Sequence, residues 1–190
     1  MNKLRKILLM EEHVCPSWLY FSLNNYFRKL VHDPEKLFKN YVGEGQTAID
    51  LGCGPGFFAL GLATLVGRKG KVFAVDIQKK SFDIITEKIK NTCYDKIVMP
   101  ILTEGSNIPV KDKVDFVLTF WMLHEVSAKN DLLKQIKAIL KSGSLYLLVE
   151  PKIHVSEKTF LEEVALSISC GLEFIDSPKI CLSRAALFRA

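Results

Sequence analysis

The sequence lacks the marks of an exported or membrane-spanning chain. The longest apolar run near the amino terminus covers only residues 7–10 and is interrupted by Glu11. That run is shorter than the core of a signal peptide or of a membrane span. We therefore expect a cytoplasmic protein with no membrane span.

Paired cysteines and pooled charge are also missing. The five cysteines make an odd number, and no two of them form a C-x-x-C pair, which argues against a disulfide framework and against a zinc or other metal site. The net charge of +5 is spread as about +2 over residues 1–46, +3 over 47–140 and zero over 141–190. Because nucleic-acid-binding surfaces cluster their basic residues, nucleic acid is an unlikely partner. The cysteines are Cys15, Cys53, Cys93, Cys170 and Cys181.

What the sequence does contain is enough apolar material for one domain. Of its 190 residues, 48% are hydrophobic, and a chain of that size can bury a core without disulfides. We expect a single domain over residues 1–190, with a helical amino-terminal segment over 1–46 and a ligand-binding core over 47–190. Asp33, Pro34 and Glu35 predict a helix start within that segment, as N-cap, first helical position and acidic first turn.

From Thr47 onward, short β-rich runs alternate with helical patterns, which is typical of an α/β fold. The apolar runs suit parallel strands that are covered by helices on both faces. The last two runs are joined too closely for a helix, which favours an antiparallel pair. The sequence thus predicts a three-layer α/β sandwich with a seven-stranded, mostly parallel sheet and an antiparallel C-terminal strand. The predicted strands are 48–51, 72–75, 97–102, 116–120, 145–149, 172–175 and 184–188.

A glycine-rich turn follows the first predicted strand. Asp50 ends that strand, Gly52, Gly54 and Gly56 follow it, and an apolar helix begins at Phe57. This arrangement places backbone N–H groups and a helix amino terminus at the carboxyl edge of the sheet, where open α/β folds bind ligands. A plain tight turn is the alternative reading of the glycines alone.

An acidic residue at the end of the next strand strengthens the prediction. Asp76 stands 26 positions after Asp50, close to where nucleotide-binding folds hold ribose hydroxyls. No Gly-Lys-Ser or Gly-Lys-Thr follows the turn, which argues against a P-loop. The two signals together predict a small-molecule site.

The motifs of the chain, taken in order, resemble those of class I S-adenosylmethionine-dependent methyltransferases. They are most similar to the small-molecule branch of quinone-ring methylases and type 11 methyltransferases, and the resemblance covers residues 30–190. It implies a Rossmann-like fold, S-adenosylmethionine as cofactor, and methyl transfer to a small-molecule acceptor. The motifs are AIDLGCGPGF at 48–57, VFAVD at 72–76, EGSNIP at 104–109, DFVLTFWMLHEV at 115–126 and LKSGSLYLLVEP at 140–151.

The resemblance also implies roles for single residues. The glycine turn would hold the methionine part of the cofactor, Asp76 the ribose, and Ile77 the adenine, while Glu104 would accept from the adenine amino group. The family more often has aspartate at that last position, so Ser106 or Asn107 could take over the contact, and Glu104 could be a solvated loop charge. The expected cofactor residues are Asp50, Gly52, Cys53, Gly54, Gly56, Asp76, Ile77, Glu104, Gly105, Ser106, Thr119 and Phe120.

Aromatic residues and one histidine are candidates for the acceptor pocket. Trp18, Tyr20, Tyr26 and Trp121 could line a lid, because aromatic faces attract a sulfonium, or they could simply pack the amino-terminal segment. His124 follows the fourth predicted strand, and an ordinary pKa near 6.5 would let it accept a proton from the acceptor. It could also only shape the pocket.

Three other functions remain open at this point. An arsenite-type methyltransferase would use several thiols, among them Cys15, although no thiol cluster is evident. An NAD-dependent oxidoreductase normally carries G-x-G-x-x-G and a Tyr-x-x-x-Lys pair, and the chain has neither in the required place. A non-catalytic, cofactor-binding regulatory protein is the third. The atom that is methylated and a possible homodimer also stay open.

Overall fold

A computed structural model of the chain describes residues 31–190. Within that range a helix, α1, precedes seven strands that are interleaved with four further α-helices and one short 3-10 helix. The strands are β1 Thr47–Leu51, β2 Lys71–Asp76, β3 Val98–Leu102, β4 Val114–Phe120, β5 Leu140–Pro151, β6 Glu173–Asp176 and β7 Ser183–Arg189. The helices are α1 Pro34–Phe38, α2 Phe57–Val66, α3 Lys79–Ile89, the 3-10 helix Leu123–Glu125, α4 Lys129–Ile139 and α5 Glu157–Ser169.

The strands form one sheet in the order β3-β2-β1-β4-β5-β7-β6. Neighbouring strands from β3 to β5 run parallel, and β7 runs antiparallel to both β5 and β6. The predicted seven-stranded, mostly parallel sheet with an antiparallel C-terminal strand is therefore confirmed.

Alternation along the strands sends apolar side chains into two cores, one on each face of the sheet. In β4, Phe116 and Leu118 join the core that includes Leu62 of α2, whereas Val117 joins the core that includes Leu133 of α4. Both cores are closed to solvent. The three-layer sandwich follows from strands that are apolar on both faces.

The predicted helix start at Asp33 is confirmed. The carboxylate of Asp33 accepts a hydrogen bond from the backbone N–H of Lys36, and Pro34 occupies the first helical position. A Cβ on Gly61 of α2 would overlap the ring of Pro34, so this glycine allows the two helices to approach closely. The helical prediction for 1–46 is wrong for residues 39–46, which form turns that lead into β1, and its part up to residue 30 lies outside the described residues.

The strand order creates a crevice at the carboxyl edge of the sheet. From β1 the chain proceeds outward to β2 and β3 and then returns to the other side of β1 as β4. Ligands of open α/β sheets bind where the order reverses in this way. The loops that follow β1, β2, β4 and β5 all open onto this edge. In the part of the chain that the structure describes, no helix has the length and apolarity needed to cross a membrane.

Candidate active site

The glycine turn is held tightly to the strand beside it. The backbone N–H groups of Gly52 and Cys53 both donate to the carbonyl of Val75, at 2.8 and 3.1 Å. A Cβ on Gly52 would overlap the side chain of Met122, and one on Gly56 would lie 2.6 Å from Cδ1 of Ile85. Two of the three glycines are therefore required by contacts inside the protein.

Gly54, the middle glycine, faces open space instead. Its φ is +52°, and a Cβ placed on it would find no described atom within 4 Å. This backbone is exposed to whatever binds in the crevice, as a turn that cradles a ligand requires. The open space above Gly54 fits the methionine part of the expected cofactor.

Asp76 connects the turn to the end of β2. One carboxylate oxygen accepts from the N–H of Gly54 at 2.8 Å, and the other accepts from the N–H of Gln78 at 2.7 Å. Burial raises the pKa of Asp76, and the hydrogen bonds from Gln78, Gly54 and the Ser81 side chain offset part of that rise. These two backbone N–H groups fix the orientation of the Asp76 carboxylate, and the carboxylate in turn stabilises the glycine turn. Its remaining lone pairs are available to ribose hydroxyls.

An apolar surface lies beside this carboxylate. Ile77 is 45% exposed and Leu102 is 44% exposed, although both are large hydrophobic residues. Leu102 is the ladder partner of Asp76 on β3, and Ile77 directly follows Asp76 in the chain. Both residues therefore lie next to the acid. Exposed aliphatic groups next to a buried acid suit a flat heterocycle whose sugar reaches the carboxylate, and the edge as a whole fits S-adenosylmethionine.

The loop after β3 closes this side of the crevice. The Gln135 side chain fastens it from α4, donating to the carbonyl of Ser106 and accepting from the N–H of Ile108, each at 2.9 Å. Glu104 is exposed, and Gly105 has a φ of +59° with open space around it. The carboxylate of Glu104 is at the surface of this loop, where a ligand could reach it. Its adenine contact stays a prediction.

Trp121 bends the chain directly after β4. Its φ of +60° is left-handed, which costs a non-glycine residue about 1–2 kcal/mol. Three contacts hold it there: its N–H donates to Val149 at 2.7 Å, its indole N–H donates to the Ser183 hydroxyl at 2.9 Å, and its ring packs edge-on to His32. The turn sends the next residue, Met122, across Gly52.

Two residues further on, His124 meets a buried carboxylate at the end of β5. Nδ1 of His124 lies 2.5 Å from one oxygen of Glu150, and the backbone N–H of His124 donates to the other oxygen at 3.1 Å. The side chain of Glu150 is fully buried, whereas that of His124 is 21% exposed. This histidine therefore stands at the crevice with its inner nitrogen held by an acid.

The charge around His124 affects its protonation. Burial alone would lower the pKa of His124, but the hydrogen bond and negative charge of Glu150, together with the charges of Glu125 and Glu163, outweigh burial and raise it. Nε2 lies 3.9 Å from Glu125, beyond hydrogen-bond distance. The imidazole can thus take up a proton more readily than a free histidine.

Some of the predicted cofactor residues have side chains that are buried in the protein. The Thr119 hydroxyl is buried and hydrogen-bonded to Tyr146 at 2.8 Å, and Phe120 packs on Phe58 inside the aromatic core. The cofactor role expected of these two residues stays a prediction, which their backbone groups at the end of β4 could fulfil. Cys53 is buried within the turn, where burial and the charges of Asp50 and Asp76 raise the pKa of its thiol, so it is a neutral packing residue. The predicted pocket residues Trp18, Tyr20 and Tyr26 lie outside the described residues.

Sequence reasoning missed Glu150, Met122 and Leu102. Glu150 carried a readable signal, because it ends an apolar strand in the same way as Asp50 and Asp76 do. Met122 and Leu102 are apolar residues in apolar contexts, and only the fold shows that one covers Gly52 and the other flanks Asp76.

Among residues 31–190, no group of three or more histidine, cysteine, aspartate or glutamate side chains could hold a metal ion. The described cysteines are free thiols, with Cys53 buried and Cys93 and Cys181 exposed. Cys15, on which the arsenite-type alternative partly depended, lies outside the described residues. The described part of the chain therefore gives that alternative no additional support.

Comparisons with known proteins agree with this geometry. The family model described as "Methyltransferase domain" matches residues 43–172. The chain is 31% identical over 109 residues to the demethylmenaquinone methyltransferase of Lactobacillus johnsonii, covering 56% of this chain and 45% of that protein. It is 26% identical over 130 residues to a ribosomal protein L11 methyltransferase of Dictyoglomus thermophilum, covering 67% of this chain and 40% of that protein. The chain thus spans less than half the length of these two curated relatives.

A solved structure matches over nearly the whole of both chains. It is a SAM-dependent methyltransferase from Aquifex aeolicus, with a TM-score of 0.83 and 25% identity, covering 92% of this chain and 98% of that one. The range matched by the family model, 43–172, includes the glycine turn and Asp76. The chain therefore belongs to the methyltransferase-domain family, and within it to the class I proteins that use S-adenosylmethionine.

Proposed function

We propose that this protein transfers the methyl group of S-adenosylmethionine to a small aromatic acceptor that carries a hydroxyl group. One observation supports this above all: the left-handed residue Trp121 is followed by Met122, which covers Gly52, and then by His124, which binds the buried Glu150. In this proposal the proton acceptor and the cofactor cradle share one crevice. The name of the Lactobacillus johnsonii relative, a demethylmenaquinone methyltransferase, favours a quinone-like ring as the acceptor.

Bound S-adenosylmethionine would supply a methyl group already activated by its sulfonium. The protein then has to align the acceptor and exclude water, which is an orientational contribution. In this proposal His124 accepts the hydroxyl proton, so that the acceptor becomes a better nucleophile. Asp76 and the glycine turn hold the cofactor, while Trp121 and Met122 form the apolar wall against which an aromatic ring would lie.

The single-domain organisation, the cytoplasmic location and the possible homodimer expected from the sequence remain predictions.

Calorimetric titration of the purified protein tests the proposal first. We expect micromolar binding of S-adenosylmethionine and of its demethylated product, and no binding of NAD. An acceptor screen with phenols and quinols, set against an L11-type protein substrate, then identifies the acceptor class. Binding of NAD alone would overturn the proposal, and so would methylation of only the protein substrate. Tight cofactor binding without turnover on any acceptor would favour the regulatory alternative.

The open space at Gly54 gives a sharper test of where the cofactor lies. Gly54→Ala meets no described atom, so the fold should tolerate it at the cost of the left-handed φ, about 1 kcal/mol. Its methyl group would occupy the space required by the ligand, and we expect cofactor affinity to fall at least about tenfold, a loss of about 1.4 kcal/mol. Calorimetry and thermal unfolding of the same samples measure both effects.

Gly143→Ala is the matched control for this variant. Gly143 also has a left-handed φ, +78°, and open space around it, but it lies near the start of β5, at the opposite edge of the sheet. It should show a comparable loss of stability with unchanged cofactor affinity. If the two variants bound the cofactor with equal affinity, the proposal that the cofactor lies against Gly54 would be wrong.

A further inference from the structure

Two buried carboxylates lie close enough to His124 to influence its charge. Glu150 is fully buried, and Glu163 of α5 is 2% exposed. One oxygen of Glu163 binds Nζ of Lys129 at 2.6 Å, while the other, Oε2, is buried and accepts no hydrogen bond from any residue in 31–190. Carboxylates are rarely buried without a functional or structural reason, because desolvation penalises their charge.

Among the described residues, the charged groups near His124 come from four elements. Glu125 lies on the 3-10 helix, Glu150 on β5, Glu163 on α5 and Lys129 on α4. Arg184, the ladder partner of Glu150 on β7, directs its guanidinium to the carbonyl of Val155 at 2.8 Å. Three carboxylates thus surround His124, and their negative charge stabilises the imidazolium that forms when the ring accepts a proton.

We propose that Glu150 is a positioning residue that fixes His124 in the tautomer with its proton on Nδ1, so that Nε2 is the nitrogen that accepts the proton of the methyl acceptor. The geometry carries this inference. Glu150 receives two hydrogen bonds from the same residue, one from the ring nitrogen and one from the backbone N–H. Rotation of the ring would break the first, so the ring orientation is fixed along with the tautomer.

The chemical step balances without any further reactant. As the acceptor oxygen loses its proton to Nε2 of His124, an electron pair on that same oxygen forms the new bond to the methyl carbon and the sulfur–carbon bond breaks, leaving its electron pair on sulfur. The imidazolium that forms lies between Glu150 and Glu125, whose negative charges stabilise it. It returns the proton to water after the product leaves.

The pH dependence follows from this arrangement. His124 accepts a proton only when its imidazole is neutral, and the surrounding carboxylates raise its pKa. Activity should therefore rise as the pH increases through that raised value. Removing the charge of Glu150 lowers the pKa of His124, so in Glu150→Gln the acidic limb of the pH–rate profile should move to lower pH.

The inference rests on the proposed function only for its kinetic part, so the experiment begins with the histidine itself. Nitrogen-15 NMR of the full chain reports the tautomer and the titration of each of its four histidines, and loss of one signal set in His124→Asn assigns His124. We expect a neutral ring protonated on Nδ1 in the unsubstituted protein, a lower pKa in Glu150→Gln, and a shift toward the Nε2–H tautomer in Glu150→Leu. Glu162→Gln, an exposed carboxylate on the same helix as Glu163, should change none of these.

Turnover then separates positioning from simple structural support. We expect Glu150→Leu to lower turnover about tenfold to hundredfold, with unchanged cofactor affinity. Combining it with His124→Asn should add little to the loss caused by His124→Asn alone, because the two residues act as one unit. A His124 ring protonated on Nε2 in the unsubstituted protein would overturn the inference. So would an unchanged His124 titration in Glu150→Gln, or losses of turnover that simply add in the double variant.

If the tautomer and titration were as expected but the protein had no turnover, the proposed function would be refuted instead. The role of Glu150 in positioning His124 would then still stand.

Discussion

Replacing Asp76 by alanine is expected to weaken binding of S-adenosylmethionine about a hundredfold. The carboxylate would lose hydrogen bonds to ribose hydroxyls, and each charge-assisted hydrogen bond contributes about 1.5–3 kcal/mol, while a factor of ten in affinity corresponds to about 1.4 kcal/mol. The variant also removes the acceptor for the N–H groups of Gly54 and Gln78, so the turn loses its brace. Calorimetry of the variant against the unsubstituted protein measures the change.

Asp83→Ala is the control for this effect. Asp83 lies on α3, exposed, and forms its ion pair with Lys79 on the same helix. An exposed pair of this kind contributes little to stability, so cofactor affinity should be unchanged. If both variants bound equally well, the ribose would have to lie away from the end of β2, and the proposed cofactor site would be wrong.

Replacing His124 by asparagine is expected to lower turnover about a hundredfold, the usual contribution of a general base, while cofactor affinity stays nearly the same. Asparagine is chosen because its amide N–H can still donate to Glu150, which avoids leaving a buried carboxylate without a donor. The difference between the two effects follows from position, because His124 stands over the end of β5 and the cofactor residues follow β1 and β2. Steady-state kinetics at saturating cofactor and calorimetry on the same preparation give both numbers.

His154→Asn provides the matched substitution at another histidine. His154 is exposed, in the loop between β5 and α5, and its replacement should leave turnover unchanged. Turnover in His124→Asn equal to that of the unsubstituted protein would remove His124 from the mechanism. Such a result would leave alignment and exclusion of water as the contribution of the protein to the reaction.

The cofactor half of the site could be predicted because its signals are local. A strand, a glycine turn and a helix adjoin in sequence, and Asp76 ends the next strand, so the carboxyl edge of a parallel sheet brings them together without any knowledge of distant contacts. The same logic predicted the seven strands, since uninterrupted apolar runs suit strands covered on both faces.

For the acceptor half, the sequence named Trp121 and His124 as candidates but could not predict how they are held, because that depends on residues distant in the chain. Tryptophan has no preference for a left-handed φ, so the residue type of Trp121 does not predict it. Hydrogen bonds to Val149 of β5 and Ser183 of β7 hold Trp121 in this conformation. That turn decides that His124 meets Glu150, 26 positions later in the chain. The sequence also did not show that the Thr119 hydroxyl is hydrogen-bonded to Tyr146, and the cofactor role of Thr119 stays a prediction.

The strand order also has a consequence for how the chain folds. The central pairing joins β1 to β4, with Ala48 opposite Phe116, and these residues are 68 positions apart (116 − 48). Closing so long a loop costs entropy before the contact repays it, and sheets rich in such pairings fold slowly. The glycine turn follows β1 and His124 follows β4, so this pairing brings the two parts of the site together. A chain that has formed its local βα units but not this pairing would contain both parts without a complete site. Methyl transfer should therefore emerge only in the last, cooperative stage of folding.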